Sequence, residues 1–156
     1  MIRRALVISG GGVKGAYAAA AALVLMAEQR LEYDLFCGCS AGAICAAFLA
    51  QYGKGQGVVA STDLARLWRG LSVDRIYDTW AFGEASALWK QSAYDAAPLH
   101  KLIRSVIEKD QIRFSEKRLR VVTTDLDTGS LVTFHELAAE IVEAVIASSA
   151  VPGAFQ

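Results

Sequence analysis

Apolar positions along this chain fall into short unbroken runs punctuated by glycine, and into longer stretches where they recur every third or fourth residue. The first run, Ala5 to Ser9, shows no alternation, the pattern of a central parallel strand covered on both faces. Glycines follow, and the alanine-rich stretch from Ala16 to Gln29 predicts a helix that can pack closely on a sheet. Leu35 to Cys39 is a second short run. Ala41 to Tyr52 then predicts a second apolar helix, which Gly53 can end in the left-handed conformation.

Farther on, Lys54 to Gly57 is a glycine-rich link, and Ser61 or Thr62 can cap a helix carrying Leu64, Leu67, Trp68 and Leu71 on one face. From about Ser72 to Ala97 the period is lost while Trp80, Phe82, Trp89 and Tyr94 remain, so this stretch reads as irregular with one short helix. Pro98 opens a helix of about three turns on Leu99, Leu102, Ile103, Val106 and Ile107. Leu119 to Thr124 and Leu131 to Phe134 read as a hairpin joined through Asp127-Thr128-Gly129. A last helix is expected from about Glu136 to Ser148, with Leu137, Ile141, Val145 and Ile146 against the sheet and Pro152 and Gly153 as its stop. The strand-helix alternation makes this an α/β chain, read as one domain over residues 1–156.

Composition narrows the partners. Of 156 residues 54% are hydrophobic, enough for one sizeable core. Lysine plus arginine and aspartate plus glutamate are 16 each, so no global field draws the chain to nucleic acid. Cys37, Cys39 and Cys45 are odd in number and crowded together, which suits small buried side chains in a reducing compartment, the cytoplasm, better than a disulfide framework. The apolar run after Met1-Ile2-Arg3-Arg4 is about five residues, too short for a signal peptide, and Ala16 to Ala27 falls short of the roughly 18 residues of a spanning helix.

Chemistry concentrates in two glycine turns. Gly38-Cys39-Ser40-Ala41-Gly42 stands between an apolar run and an apolar helix. A strand reversing into a helix there puts Ser40 in a strained backbone region, and glycines two before and two after relieve the crowding. The serine then stands at a helix N-terminus, where unpaired amides favour an oxyanion. Gly10-Gly11-Gly12-Val13-Lys14-Gly15 follows the first run; its Gly11 and Gly12 amides can receive a carbonyl oxygen held near Ser40, with Lys14 adding positive charge at the rim. The same glycines fit a dinucleotide phosphate loop, but the acidic strand end needed about 20 residues later is replaced by the Ser40 turn, and Gly15 follows Lys14 where a nucleotide P-loop has serine or threonine.

These motifs resemble those of the patatin-like phospholipases: Gly10 to Gly15 matches the family's glycine-rich oxyanion motif, with Gly10, Gly11, Gly12 and Lys14 in it, and Gly38, Cys39, Ser40, Ala41 and Gly42 match its nucleophile elbow. Thr124 to Gly129 and Ala147 to Phe155 also resemble stretches of bacterial members. The family often has aspartate where Ser9 stands and arginine where Lys14 stands. The resemblance implies a three-layer α/β/α fold with a mainly parallel central sheet, truncated here at its C-terminus. It further implies a lipid acyl hydrolase of phospholipase A or lysophospholipase type that uses a serine-aspartate dyad, needs no metal or cofactor, and has Ser40 as nucleophile. The family's dyad aspartate lies in an Asp-Gly-Gly or Asp-Gly-Ala turn shortly after the segment matched by Ala147 to Phe155. It is therefore expected beyond Gln156, and the 156-residue form is expected to be weak or inactive. Asp125 is the alternative base within the chain; His100 and His135 read as solvated or capping residues. The competing readings are a noncatalytic acyl- or anion-binding module and a nucleotide-binding α/β domain. The partners expected are a lipid or acyl-ester substrate, a membrane surface met peripherally through the Trp80 to Tyr94 aromatics, and a second copy of the chain through an exposed sheet edge.

Overall fold

The computed structural model describes residues 4–71, 78–79 and 94–150. Three short apolar runs become parallel strands: β1 (Ala5–Ile8), β2 (Leu35–Gly38) and β5 (Arg118–Thr124); β6 (Leu131–His135) returns antiparallel, giving the order β1-β2-β5-β6. Between them lie α1 (Gly15–Leu23), α2 (Ala41–Ala50), α3 (Gly57–Arg69), the two-residue strands β3 (Asp78–Thr79) and β4 (Tyr94–Asp95), α4 (Ala97–Val106) and α5 (Lys109–Phe114). α6 (Ile141–Ser149) closes the described part. This is the mainly parallel α/β architecture expected.

Helix α2 is the centre of the molecule. All ten of its residues are buried, as befits a helix apolar on every side, and its small side chains let it lie close to β1, β2, β5, α1, α3 and α6. Phe36, Leu119 and Val121 are fully buried in the core that α2 shares with α6. The alternate strand residues Val7, Cys37, Arg120 and Thr133 stay exposed or half-exposed.

That alternation corrects the expectation for the first run. Among the described residues β1 is an edge strand paired only with β2, and Val7 is 73% exposed; an unbroken apolar run could not reveal that only one of its faces would meet a helix there. Gly53 does not end α2 in the left-handed region; Gly55 takes the positive φ, at 80°. Ser61 and Thr62 lie inside α3 rather than capping it, their hydroxyls donating to the Val58 carbonyl at 3.2 and 2.8 Å. The first helix widens after Leu23, where the Gln29 amide reaches back five residues to the Val24 carbonyl at 3.0 Å. The last helix starts at Ile141, leaving Leu137 57% exposed in the preceding turns. The hairpin, its Gly129 at φ 70°, and the Pro98 helix stand as expected. Trp80, Phe82, Trp89, Pro152 and Gly153 lie outside the described residues, as does the side chain of Tyr94.

The opposite ends of the parallel strands differ in character. At their N-terminal ends the Lys117 ammonium, buried, donates to the Tyr33 carbonyl at 2.7 Å and to Glu32 Oε2 at 3.2 Å. Beside it the Arg118 amide donates to the Asp34 carbonyl at 2.9 Å, and the Arg4 amide to Asp34 Oδ2 at 3.3 Å. The C-terminal ends carry the two glycine turns.

Candidate active site

The turn from β2 into α2 leaves no residue to spare. Gly38 is the last residue of β2 and Ala41 the first of α2, so Ser40 must make the reversal and takes φ 53°, ψ −130°. For a residue with a side chain this costs of order 1–3 kcal/mol and persists only where the surroundings enforce it. The flanking glycines are obligatory on steric grounds: a Cβ on Gly38 would collide with the Gly42 carbonyl, and one on Gly42 with the carbonyl of Ile8. The turn is closed by the Gly42 amide donating to the Cys39 carbonyl at 2.9 Å and the Ala43 amide to the Ser40 carbonyl at 2.8 Å.

The loop after β1 comes to the same place. The Cys39 amide donates to the Ile8 carbonyl at 3.4 Å, tying the two turns together. A Cβ added to Gly10 would lie 2.9 Å from Ser40 Cβ and 3.4 Å from the Cys39 carbonyl oxygen, so the backbone of the glycine loop rests against the serine side chain. Gly11 and Gly12 are exposed and Gly12 has φ 55°. Among the described residues the amides of Gly11, Gly12 and Ala41 donate to no protein acceptor, whereas the Lys14 amide is engaged by the Gly11 carbonyl at 3.0 Å. Unpaired amides at a helix start are suited to an anionic oxygen. The Lys14 side chain is exposed and lines a separate depression along β1 and α1 with Gly10 and Gly11, not the cleft beside Ser40.

Ser40 opens into an apolar cleft of about 680 Å³ whose far wall is the β5–β6 hairpin, with Val122, Leu126 and Leu131, and whose floor includes Ala147 and Ser148 of α6. Leu126 and Leu131 are 77% and 75% exposed. The described residues lining it include no carboxylate and no imidazole. Among the described residues no group of histidine, cysteine, aspartate and glutamate is placed to hold a metal ion.

The other sequence candidates sit elsewhere or are occupied. Asp125 follows the end of β5, but its Oδ1 accepts from the Thr128 amide at 2.8 Å, the Asp127 amide at 3.0 Å and the Thr128 hydroxyl at 3.0 Å. The Thr128 backbone and side-chain hydrogen bonds hold its carboxyl below the usual range. His135 is paired with Arg120, which is paired with Cys37; it lies two strands across and three residues back from Ser40, roughly 10 Å in each direction. Its Nδ1 accepts from the Leu137 amide at 3.2 Å, closing a turn rather than capping a helix, since α6 begins only at Ile141. His100, on α4, borders a shallow depression with Lys101 and Arg104 instead of the Ser40 cleft. Cys39 is exposed, against the expectation of a buried thiol, and lines the cleft beside Ser40; Cys37 is half-buried and Cys45 buried, and none of the three thiols is in a disulfide.

One residue of the site went unassigned in the sequence. Ser148 Oγ accepts from the Ser40 amide at 2.8 Å and donates to the Val122 carbonyl at 2.6 Å. The only hint was its position near the end of a helix that follows the hairpin, where it can reach strand ends at which sites in open sheets gather.

Comparison with known proteins places the fold in a family. The family described as patatin-like phospholipase matches residues 6–156. The chain belongs to the patatin-like phospholipase family. Curated proteins yield no match to it. Among solved structures it is similar to VipD from Legionella pneumophila, with a TM-score of 0.60 and 16% identity over 99% of this chain and 43% of that one. It is also similar to the type III effector protein ExoU, with a TM-score of 0.58 and 20% identity over 97% and 40%. The chain thus spans about two fifths of the length of these neighbours, and at such identities they speak for the fold. In this patatin-like chain, no helix among the described residues is long and apolar enough to cross a membrane.

Proposed function

We propose that this chain supplies the nucleophile and the oxyanion-binding half of a lipid acyl hydrolase of phospholipase A or lysophospholipase type. The observation that carries the reading is the contact of Gly10 with Ser40, made where the serine is held at φ 53° at a helix start. Ser40 Oγ adds to the ester carbonyl carbon and gives its proton to a base. The carbonyl oxygen, now negative, is received by the amides of Gly11 and Gly12. Collapse of the tetrahedral species expels the alcohol or lysolipid, and water then releases the fatty acid from the serine. The cleft toward Leu126 and Leu131 suits an acyl chain.

On this reading the base is the dyad aspartate of the family, supplied by sequence following Gln156; the absence of carboxylate and imidazole from the described cleft lining supports it. General base catalysis contributes about 10² to 10⁴ in rate, and oxyanion binding without it leaves a residual of about 10³ to 10⁴ over water. The 156-residue form should therefore be weak or inactive toward a short-chain nitrophenyl ester. Slow capture of a fluorophosphonate at Ser40, abolished in Ser40→Ala, is the expected result. Capture that persists unchanged in Ser40→Ala would overturn the assignment, and rapid ester turnover lost in Ser40→Ala would show that the base lies within this chain.

The same lining favours a second reading, a noncatalytic acyl- or anion-binding pocket. It expects saturable fatty-acid binding with no fluorophosphonate capture. Peripheral contact with lipid through Trp80 and Trp89 belongs to the first reading; equal flotation of a Trp80→Ala/Trp89→Ala variant with liposomes would remove it. The β1 edge, unpaired among the described residues, supports self-association, which a monodisperse monomer on sizing would exclude.

A further inference from the structure

We propose that Ser148 is a positioning residue that holds the Ser40 turn in its reactive shape by joining it, through one hydroxyl, to the end of β5. The proposal rests on the hydrolase reading for its catalytic meaning and on geometry for its substance.

The backbone of Ser40 creates the need. At φ 53° its amide points away from both regular ladders: β2 has ended at Gly38, and within α2 the carbonyls of Cys39 and Ser40 serve the amides of Gly42 and Ala43. A half-buried amide without a partner loses its hydration for nothing in return. Ser148 meets it from a point 108 residues away in sequence, at 2.8 Å.

The hydroxyl has a single proton, and the 2.6 Å contact with the Val122 carbonyl, which can only accept, takes it. Its lone pairs are then left to face the Ser40 amide, so the direction of both hydrogen bonds is determined. It follows that Ser148 has no proton to offer an oxyanion and is not a catalytic residue. Its action is on the placement of Ser40. Val122 is on the hairpin strand that walls the cleft, so the same bond sets the distance between nucleophile and cleft wall. The neighbouring Ser149 shows the contrast: its hydroxyl donates within its own helix, to the carbonyls of Val145 at 3.0 Å and Ile146 at 2.9 Å.

The test compares Ser148→Ala, Ser148→Cys and Ser148→Thr with Ser149→Ala in the 156-residue chain. Hydrogen exchange of the Ser40 amide is followed by NMR, and the rate of fluorophosphonate capture by mass spectrometry. Ser148→Ala and the near-isosteric Ser148→Cys should speed exchange at Ser40 by about tenfold or more and slow capture by about tenfold to a hundredfold, the range for small misplacements of a reacting group. Ser148→Thr, which keeps the hydroxyl, should restore both, and Ser149→Ala should leave exchange at Ser40 unchanged. Should Ser148→Ala fold poorly, Ser148→Cys decides. Unchanged exchange at Ser40, or faster exchange with unchanged capture, overturns the proposal. If the unmodified chain takes no probe at all, the hydrolase reading fails separately, and the exchange rates alone then decide whether Ser148 holds the turn.

Discussion

The two ends of the parallel sheet solve opposite problems with the same three strands. At the N-terminal ends the buried charge is answered: the Lys117 ammonium binds the Tyr33 carbonyl and Glu32, and Asp34 takes amides from Arg4 and Arg118. At the C-terminal ends the backbone is bent at Ser40, side chains are deleted at Gly10, Gly38 and Gly42, and the amides of Gly11, Gly12 and Ala41 donate to no protein acceptor among the described residues. One end contributes stability and the other sacrifices it. Unanswered donors are what mark the C-terminal ends as the candidate site; positive φ alone does not, since Arg30 at 54° and Glu116 at 61° take it ahead of β2 and β5.

The largest expected effect tests the stabilising end. Lys117→Ala removes a buried donor and the stem that packs with it, leaving the Tyr33 carbonyl without its partner; Glu32 is half-exposed and keeps water, which limits the loss. Stability in urea should fall by about 2 kcal/mol while probe capture at Ser40 stays within twofold. A loss of capture larger than the loss of folded protein would mean that the two ends are coupled. The converse change is Ser40→Gly, which removes the nucleophile together with the penalty of a side chain at φ 53°. It should end capture and raise stability by about 1 kcal/mol. A lowered melting temperature would show that the turn is not strained.

Much of this division was legible in the sequence, for reasons that differ by residue. Gly38, Gly42 and the run from Gly10 to Gly12 announce themselves because a missing Cβ is a local property, and the tight turns they permit depend on near neighbours. The apolar runs of β2 and β5 and the amphipathic Pro98 helix were legible for the same reason. What packs on a strand is not local, so β1 read as central and is an edge among the described residues. Ser61 and Thr62 carry hydroxyls suited to a cap, yet the helix had already begun at Gly57 and the Val58 carbonyl was within reach. α5 spans six residues, Lys109–Phe114, with Ile112 alone buried, too short for a period to show. Ser148 was invisible as a partner of Ser40 because the bond joins positions 108 residues apart.

The cysteines sharpen the comparison at a smaller scale. Cys39 is exposed on the elbow, whereas burial pushes the Cys45 thiol up to about 11. Burial also raises Cys37, with the Arg120 charge working against it. Timed iodoacetamide at mildly alkaline pH should modify Cys39 first, Cys37 more slowly, and Cys45 only once the chain unfolds, since the thiolate is the reactive form. Alkylation of Cys45 in the folded chain at the pace of Cys39 would mean that α2 opens far more readily than a fully buried helix should.

The smallest effect concerns Asp125, a carboxylate at the site end that the proposed chemistry does not use. Asp125 is held below the ordinary carboxylate range, first by the Thr128 amide and then by the Thr128 hydroxyl. A depressed folded value means that the ionised form is favoured by folding. Its contribution is therefore present above the range in which an unfolded aspartate titrates and disappears as pH falls through the folded value, so the hairpin turn should loosen only in strong acid. Thr128→Val, which removes one of the three bonds to Oδ1, should move the midpoint upward, and carboxyl shifts followed by NMR against pH would measure both. The direction decides more than the turn. A base that must take a proton from Ser40 near neutral pH works best with its pKa raised toward that pH, and three hydrogen bonds to one oxygen pull Asp125 the other way. A midpoint above that of ordinary aspartate would bring Asp125 back as the base and place the whole dyad inside these 156 residues.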